Sequence, residues 1–181
     1  KDIKELSKFK KPIFYDGKFF DIKNTLIGSI KSLEDLDISY ATVHLLNGLE
    51  ALKATNEVAK KINIKLLGVS VLTSFGNEDL LNLGFKDEVE DQVLRLVKIA
   101  DEANLYGVIC SPLEVKKIKE IAPNLKCFTP GIKQGVNKND QKRTMNAKEA
   151  MDEGSDCLII GRSITDGDSK KNIQDIILSL K

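Results

Sequence analysis

Asp16, Lys18 and Asp21 place three formal charges within six positions, in the stretch FYDGKFFDIKNT that continues the apolar run PIFY. On an extended strand Asp16 and Lys18, two residues apart, point to the same side, and Gly17 between them lets the backbone pack closely or bend. Asp21 lies beyond the strand end, where the chain turns toward a helix. Flanking carboxylates keep a lysine protonated and oriented. Fixed beside an atom that becomes electron-rich during a reaction, such a cation stabilises the transition state. At about 4 Å and an effective dielectric near 20 it contributes on the order of 4 kcal/mol. A solvated connection with one local ion pair, worth little, is the competing reading of the spacing alone.

Other polar positions invite chemistry less specifically. In IIGRSIT, Gly161 permits close backbone approach, Arg162 offers a bidentate fork, and the amides of a following helix start favour an anion such as phosphate. Thr73 and Ser74 put hydroxyls after the apolar run LLGVSV, where a turn cap is the plainer role. His44, the only histidine, sits inside TVHLLNG and reads as a hydrogen-bonded strand residue rather than an acid or base. With no second histidine and no cysteine beside a base, Ser/His and Cys/His catalysis find no support. Cys110, Cys127 and Cys157 lie in or beside apolar runs without CxxC or Cys/His spacing, as buried reduced thiols do; neither zinc nor a structural disulfide is expected.

The elements that must position these residues follow from the apolar pattern. Runs rich in Val, Ile and Leu recur at 12–16, 39–43, 65–71, 107–110, 126–129 and 157–161, and read as parallel strands buried on both faces. Between them, helices are expected from Asn24 or Thr25, as cap, to about Leu33, over GLEALKATNEVAKKI with apolar positions 49, 52, 55, 58 and 62, and over about 88–103, 112–121, 146–153 and 170–180. Six strand and helix units make an α/β fold with right-handed crossovers, whose chemistry gathers at the carboxyl ends of the strands. Asp16, Lys18, His44, Thr73, Gly161 and Arg162 all fall there.

The bulk numbers bound the answer further. At 181 residues, 41% hydrophobic and 30% charged, the chain suits one domain, residues 1–181. The 28 basic and 27 acidic side chains nearly cancel, which argues against nucleic acid as a partner. No apolar run approaches the roughly 20 residues that span a bilayer, and the start KDIKELSKFKK lacks a signal-peptide core, so a cytoplasmic protein away from membranes is expected. Six units fall short of an eight-stranded barrel, which takes about 250 residues.

The stretch DGKFFDIKNT resembles the D-x-K-x-x-D-I-x-N-T segment of the orotidine 5'-monophosphate decarboxylase family. The likeness continues in order through VHLLNG, SVLTSF, TPGI, DQKR and IIGRSIT, and so covers essentially the whole chain. It implies a (β/α)8 TIM-barrel fold and a homodimer that needs neither metal nor organic cofactor. The reaction it implies is loss of carbon dioxide from the nucleotide orotidine 5'-monophosphate to give uridine 5'-monophosphate, in pyrimidine biosynthesis. By the same resemblance Lys18 is the proton donor to C6 of the pyrimidine, Asp16 sits beside the departing carboxylate, and Asp21 reaches into the partner's site with Ile22, Asn24 and Thr25 nearby. Thr73 contacts the pyrimidine ring, and Gly161 and Arg162 hold phosphate together with the loop after TPGI. That loop, KQGVNKNDQ, has a composition that suits a lid; Gln134 and Gln141 compete as its phosphate-gripping glutamine, and Lys133 stands where relatives usually have arginine.

The family's first strand supplies an aspartate to the ribose and its second supplies a further lysine. Neither segment is found here, so the resemblance implies that strands 3 to 8 are present and two units are missing, with little catalysis from the chain unaided. KDIKELSKFKK, with Ile3, Leu6 and Phe9 at helical spacing, would be the helix before the third strand. Two alternatives stay open. One is a magnesium-dependent sister, the 3-keto-gulonate-phosphate decarboxylase and hexulose-phosphate synthase group; the other is a non-catalytic nucleotide-binding fragment.

Overall fold

The computed structural model describes residues 3–133 and 143–180. Its elements alternate as the apolar pattern requires. In chain order they are α1 (Ile3–Leu6), β1 (Ile13–Phe19), α2 (Lys23–Lys31), β2 (Ile38–His44), α3 (Leu49–Lys61), β3 (Lys65–Val69), α4 (Asn77–Asn82), α5 (Val89–Glu102), β4 (Gly107–Ile109), α6 (Val115–Ile121), β5 (Lys126–Thr129), α7 (Ala147–Asp152), β6 (Cys157–Leu158), α8 (Arg162–Thr165) and α9 (Ser169–Ser179). Strand order in the sheet is that of the chain, β1 to β6. The pairs β1–β2, β2–β3 and β5–β6 are parallel.

Two compact units divide the chain: Lys1–Ser70 with Leu96–Val108, and Val71–Arg95 with Ile109–Lys181. In the first, Leu26 and Ile30 of α2, Ala41 and Val43 of β2, Leu52 and Ala59 of α3, and Leu66 and Leu67 of β3 are all fully buried. The second has its own core, in which Ile132, Ala147, Ala150 and Ile176 are buried with Met145, Leu158, Ile160 and Ile164 packed against them. Burying a Leu or Ile side chain contributes about 1.5–3 kcal/mol, so each cluster holds its strands and helices together by area removed from water.

Several expectations shift in detail. β1 carries no buried residue, against the reading of a strand covered on both faces, because it lies at the end of the strand order and pairs with β2 alone. The α2 helix starts early: Ile22, two positions before Asn24 and three before Thr25, takes the cap position without a side-chain bond, and Asn24 and Thr25 lie exposed in its first turn. On α3 the buried face is Ala51, Leu52, Thr55, Asn56 and Ala59 rather than 49, 52, 55, 58 and 62. Asn56 tolerates burial because its amide donates to Ala103 O at 3.1 Å and Asn104 O at 2.6 Å, where α5 ends. KDIKELSKFKK is helical only to Leu6, with a 3₁₀ turn at Ser7–Phe9, and leaves Leu6 and Phe9 exposed. Cys110 and Cys127 are buried as expected, Cys157 only half so, and all three are free thiols. No helix of the described residues is long and apolar enough to cross a membrane.

Candidate active site

The charged stretch does not lie on a regular strand. Tyr15 pairs with Ala41 and Phe19 with Val43, so Asp16, Gly17 and Lys18 together face Thr42 alone, and β1 bulges. Such bulges bend a strand and re-aim side chains. Lys18 adopts φ +44, a left-handed conformation that lysine rarely takes. Gly17 is required here: a Cβ at this position would sit 2.8 Å from the Tyr15 ring and 2.9 Å from that of Phe19, which stack across it with centroids 5.8 Å apart.

Thr42 fastens the bulge. Fully buried on β2, its hydroxyl accepts the Lys18 backbone N–H at 2.8 Å and donates to Asp16 Oδ1 at 2.9 Å. The other carboxylate oxygen, Oδ2, accepts from Lys18 Nζ at 2.5 Å. Asp16 is thereby oriented from one side by a neutral donor and holds the ammonium on the other. The two charged side chains remain about half exposed, at 45% and 46%, so the pair's value lies in placement rather than in stability.

Asp21 is placed differently. Its backbone N–H donates to Asn47 Oδ1 at 3.0 Å, and its own Oδ1 accepts the Ile22 N–H at 2.7 Å. Among the described residues it forms no ion pair, so the structure brings Asp16 and Lys18 together and leaves Asp21 beyond them on the connection to α2. Ile22 and Phe20 beside it are 74% and 63% exposed. Asn47 ties this connection down, since its Nδ2 also donates to Phe19 O at 2.9 Å and His44 O at 2.8 Å. Asn47→Ala removes all three bonds and is expected to cost about 1–3 kcal/mol, because two part-buried carbonyls lose their donor and the Asp21 N–H its acceptor. Urea denaturation checks this, and an unchanged midpoint would refute the clamp.

His44 has the structural part its position suggested. Its Nδ1 accepts the Leu46 N–H at 3.3 Å, its ring lies 5.6 Å from that of Phe20, and burial lowers its pKa, which favours the neutral imidazole.

In the second unit, Thr73 and Ser74 occupy the middle of a turn closed by Phe75 N–H to Leu72 O at 2.9 Å. Lys133 donates its backbone N–H to Met145 O at 3.0 Å, which joins the chain on either side of 134–142. Gln134 and Gln141 fall outside the described residues. Gly161 precedes α8, and its carbonyl accepts from Ile164 N and Thr165 N at 2.8 and 3.1 Å; Gly161 and Arg162 are both exposed. Among the described residues no three His, Cys, Asp or Glu side chains are grouped as a metal ion requires.

The model of the "Orotidine 5'-phosphate decarboxylase / HUMPS family" matches residues 1–175. The chain belongs to this family. It is 40% identical over 177 residues to orotidine 5'-phosphate decarboxylase of Wolbachia pipientis subsp. Culex pipiens, a match covering 97% of this chain and 78% of that protein. The protein of the same name from Lawsonia intracellularis is 39% identical over 93% of this chain and 76% of its own length. Among solved structures, the decarboxylase of Lactobacillus acidophilus superposes with a TM-score of 0.84 at 34% identity, covering 99% of this chain and 80% of that one. The six sequential strands are therefore strands of the family's (β/α)8 TIM-barrel type.

Thr42, Asn47, Glu114 and Arg143 were given no role from sequence, although Asn47 and Arg143 lie in the matched stretches VHLLNG and DQKR. A hydroxyl inside the apolar run SYATV is a signal for Thr42, because a buried polar group needs a partner. Nothing comparable marks Asn47, whose partners come from β1 and from the end of β2.

Proposed function

We propose that this protein removes carbon dioxide from orotidine 5'-monophosphate to give uridine 5'-monophosphate, as its family membership implies. The observation that carries the reading is the bulge at Asp16–Lys18, which fixes an ammonium at the carboxyl end of a strand by a hydrogen-bonded carboxylate. In the reaction the bond from C6 to the carboxylate carbon breaks and its electron pair stays on C6. Lys18 Nζ stabilises that pair electrostatically and then delivers a proton to it, leaving a neutral amine that solvent recharges. Asp16 holds the amine aimed until that moment and lies beside the departing carboxylate. No metal or organic cofactor takes part.

The remaining assignments belong to the same proposal. Thr73 hydrogen-bonds the pyrimidine, while Gly161 and Arg162, with Lys133 and a glutamine at 134 or 141, hold the phosphate. Binding energy from that remote group is available to hold the transition state. Asp21, with Ile22, Asn24 and Thr25, serves the partner's site in a homodimer; the exposure of Ile22 and Phe20 supports a contact there. Three free thiols support a reducing, cytoplasmic setting.

The test follows the absorbance change of orotidine 5'-monophosphate on incubation with the full gene product in the presence of EDTA. Conversion to uridine 5'-monophosphate under chelation is expected. Turnover of a keto-sugar phosphate that requires magnesium, with the nucleotide untouched, would reject the reading, and so would nucleotide binding without any conversion.

A further inference from the structure

Arg143 is half-buried, charged and unused by any role assigned above. Its side chain is 12% exposed and that of its partner Glu114 is 4%. Glu114 Oε1 takes the ion pair from Arg143 Nη1, while Oε2 accepts the Ser111 N–H at 2.8 Å. The second guanidinium nitrogen, Nη2, donates to Val71 O at 3.1 Å and Leu72 O at 3.0 Å. Those carbonyls open the turn whose middle residues are Thr73 and Ser74.

The arginine backbone is equally constrained. Its carbonyl oxygen lies 2.7 Å from where a Cβ on Gly131 would stand, and Gly131 takes φ +84, so only glycine fits there. Met145 N–H to Gly131 O at 3.1 Å and Lys133 N–H to Met145 O at 3.0 Å fix the same corner. The guanidinium thus ties position 143 to 71–72 and to 114, and the backbone bonds add 131, 133 and 145, all within the second unit.

Stability alone does not account for this arrangement. A buried pair costs about as much to desolvate as it returns. Here burial pushes the Glu114 carboxyl up to about 7 even with Arg143 beside it, and the buried Arg143 Nε has no acceptor among the described residues. What the arginine supplies is a rigid planar fork that reaches a carboxylate and two carbonyls at once, a geometry lysine lacks.

We infer that Arg143, anchored by Glu114, is a positioning residue for the reaction: it sets the turn Leu72–Phe75 and with it the Thr73 hydroxyl that meets the pyrimidine. The inference rests on the role of Thr73 proposed above. It implies that Arg143 governs recognition of the base and leaves recognition of the sugar phosphate alone.

The test measures by calorimetry the affinity of the full gene product for uridine 5'-monophosphate and for ribose 5-phosphate, which lacks the base. Arg143→Met is expected to weaken the nucleotide about tenfold, the worth of one well-placed hydrogen bond, and to leave ribose 5-phosphate within about twofold. Thr73→Val should weaken the nucleotide similarly, and adding it to Arg143→Met should cost little more, since the two act on one contact. Should Arg143→Met not fold, Arg143→Lys, which keeps the charge beside Glu114 but not the fork, reads the same ratio. Equal weakening of both ligands would mark Arg143 as a general structural residue and overturn the inference, as would an unchanged nucleotide affinity or additive losses in the double variant. A Thr73→Val protein that binds both ligands normally removes Thr73 from base recognition and the inference with it. Normal decarboxylation alongside that result would leave the catalytic reading standing.

Discussion

Lys18→Ala is expected to lower kcat by about a thousandfold or more with the fold intact. The magnitude follows from the electrostatics: a charge contributing on the order of 4 kcal/mol at the reacting carbon corresponds to about three powers of ten in rate, before the loss of the proton donor is counted. Stability should change little, because the side chain is half exposed and the pair it forms with Asp16 is a surface pair. Removing a left-handed lysine for alanine does not relieve the backbone either, since both residues carry a Cβ. Steady-state assay with a parallel melting curve checks both halves. A variant that keeps a tenth of the rate would show that the cation is not what stabilises the transition state.

Thr42→Val tests the support beneath that lysine. Valine preserves the shape in a fully buried position but removes the one oxygen that both accepts from the Lys18 amide and donates to Asp16. The amide N–H then has no acceptor, which costs about 1–3 kcal/mol, and the carboxylate loses the donor that orients it. A shift of about 1 Å in a catalytic group costs roughly a hundredfold in rate, and that is the expected fall in kcat, without a matching rise in KM. Thr42→Ser, which restores the hydroxyl, should recover most of the activity. Equal activity of the valine and serine variants would mean that the bulge holds Lys18 without help from β2.

How much of this was legible beforehand differs by element. The strand at Lys126–Thr129 and the helix Val89–Glu102 fall within a residue of their sequence limits, because continuous apolar runs and a clear helical repeat leave few alternatives. The Cys157 run stops being a strand at Leu158, short of the expected 161, since an apolar run cannot tell a strand from the extended chain that follows it. Helix α4, six residues long, was not foreseen; a segment this short carries too few positions to show a period.

The Asp16–Lys18 pair was legible as residue types: aspartate and lysine two apart, at the end of an apolar run, already suggested a fixed cation. Asp16 and Lys18 converge while Asp21 stays apart, and alternation is only part of the cause. Alternation along a regular strand would put both on one face, whereas the chain inserts a bulge at that point and joins them through a threonine on the next strand.

By itself, then, the sequence determined the order of strands and helices, the reduced thiols and the charged residues available for chemistry, since each depends on local pattern or composition. Tertiary structure alone decided that Thr42 braces Lys18, that Asn47 fixes the connection at Asp21, and that Arg143 reaches the turn of Thr73. Each of those bonds spans 24 or more positions along the chain, and a hydrogen bond depends on where two atoms lie in space, which no local pattern of residues encodes.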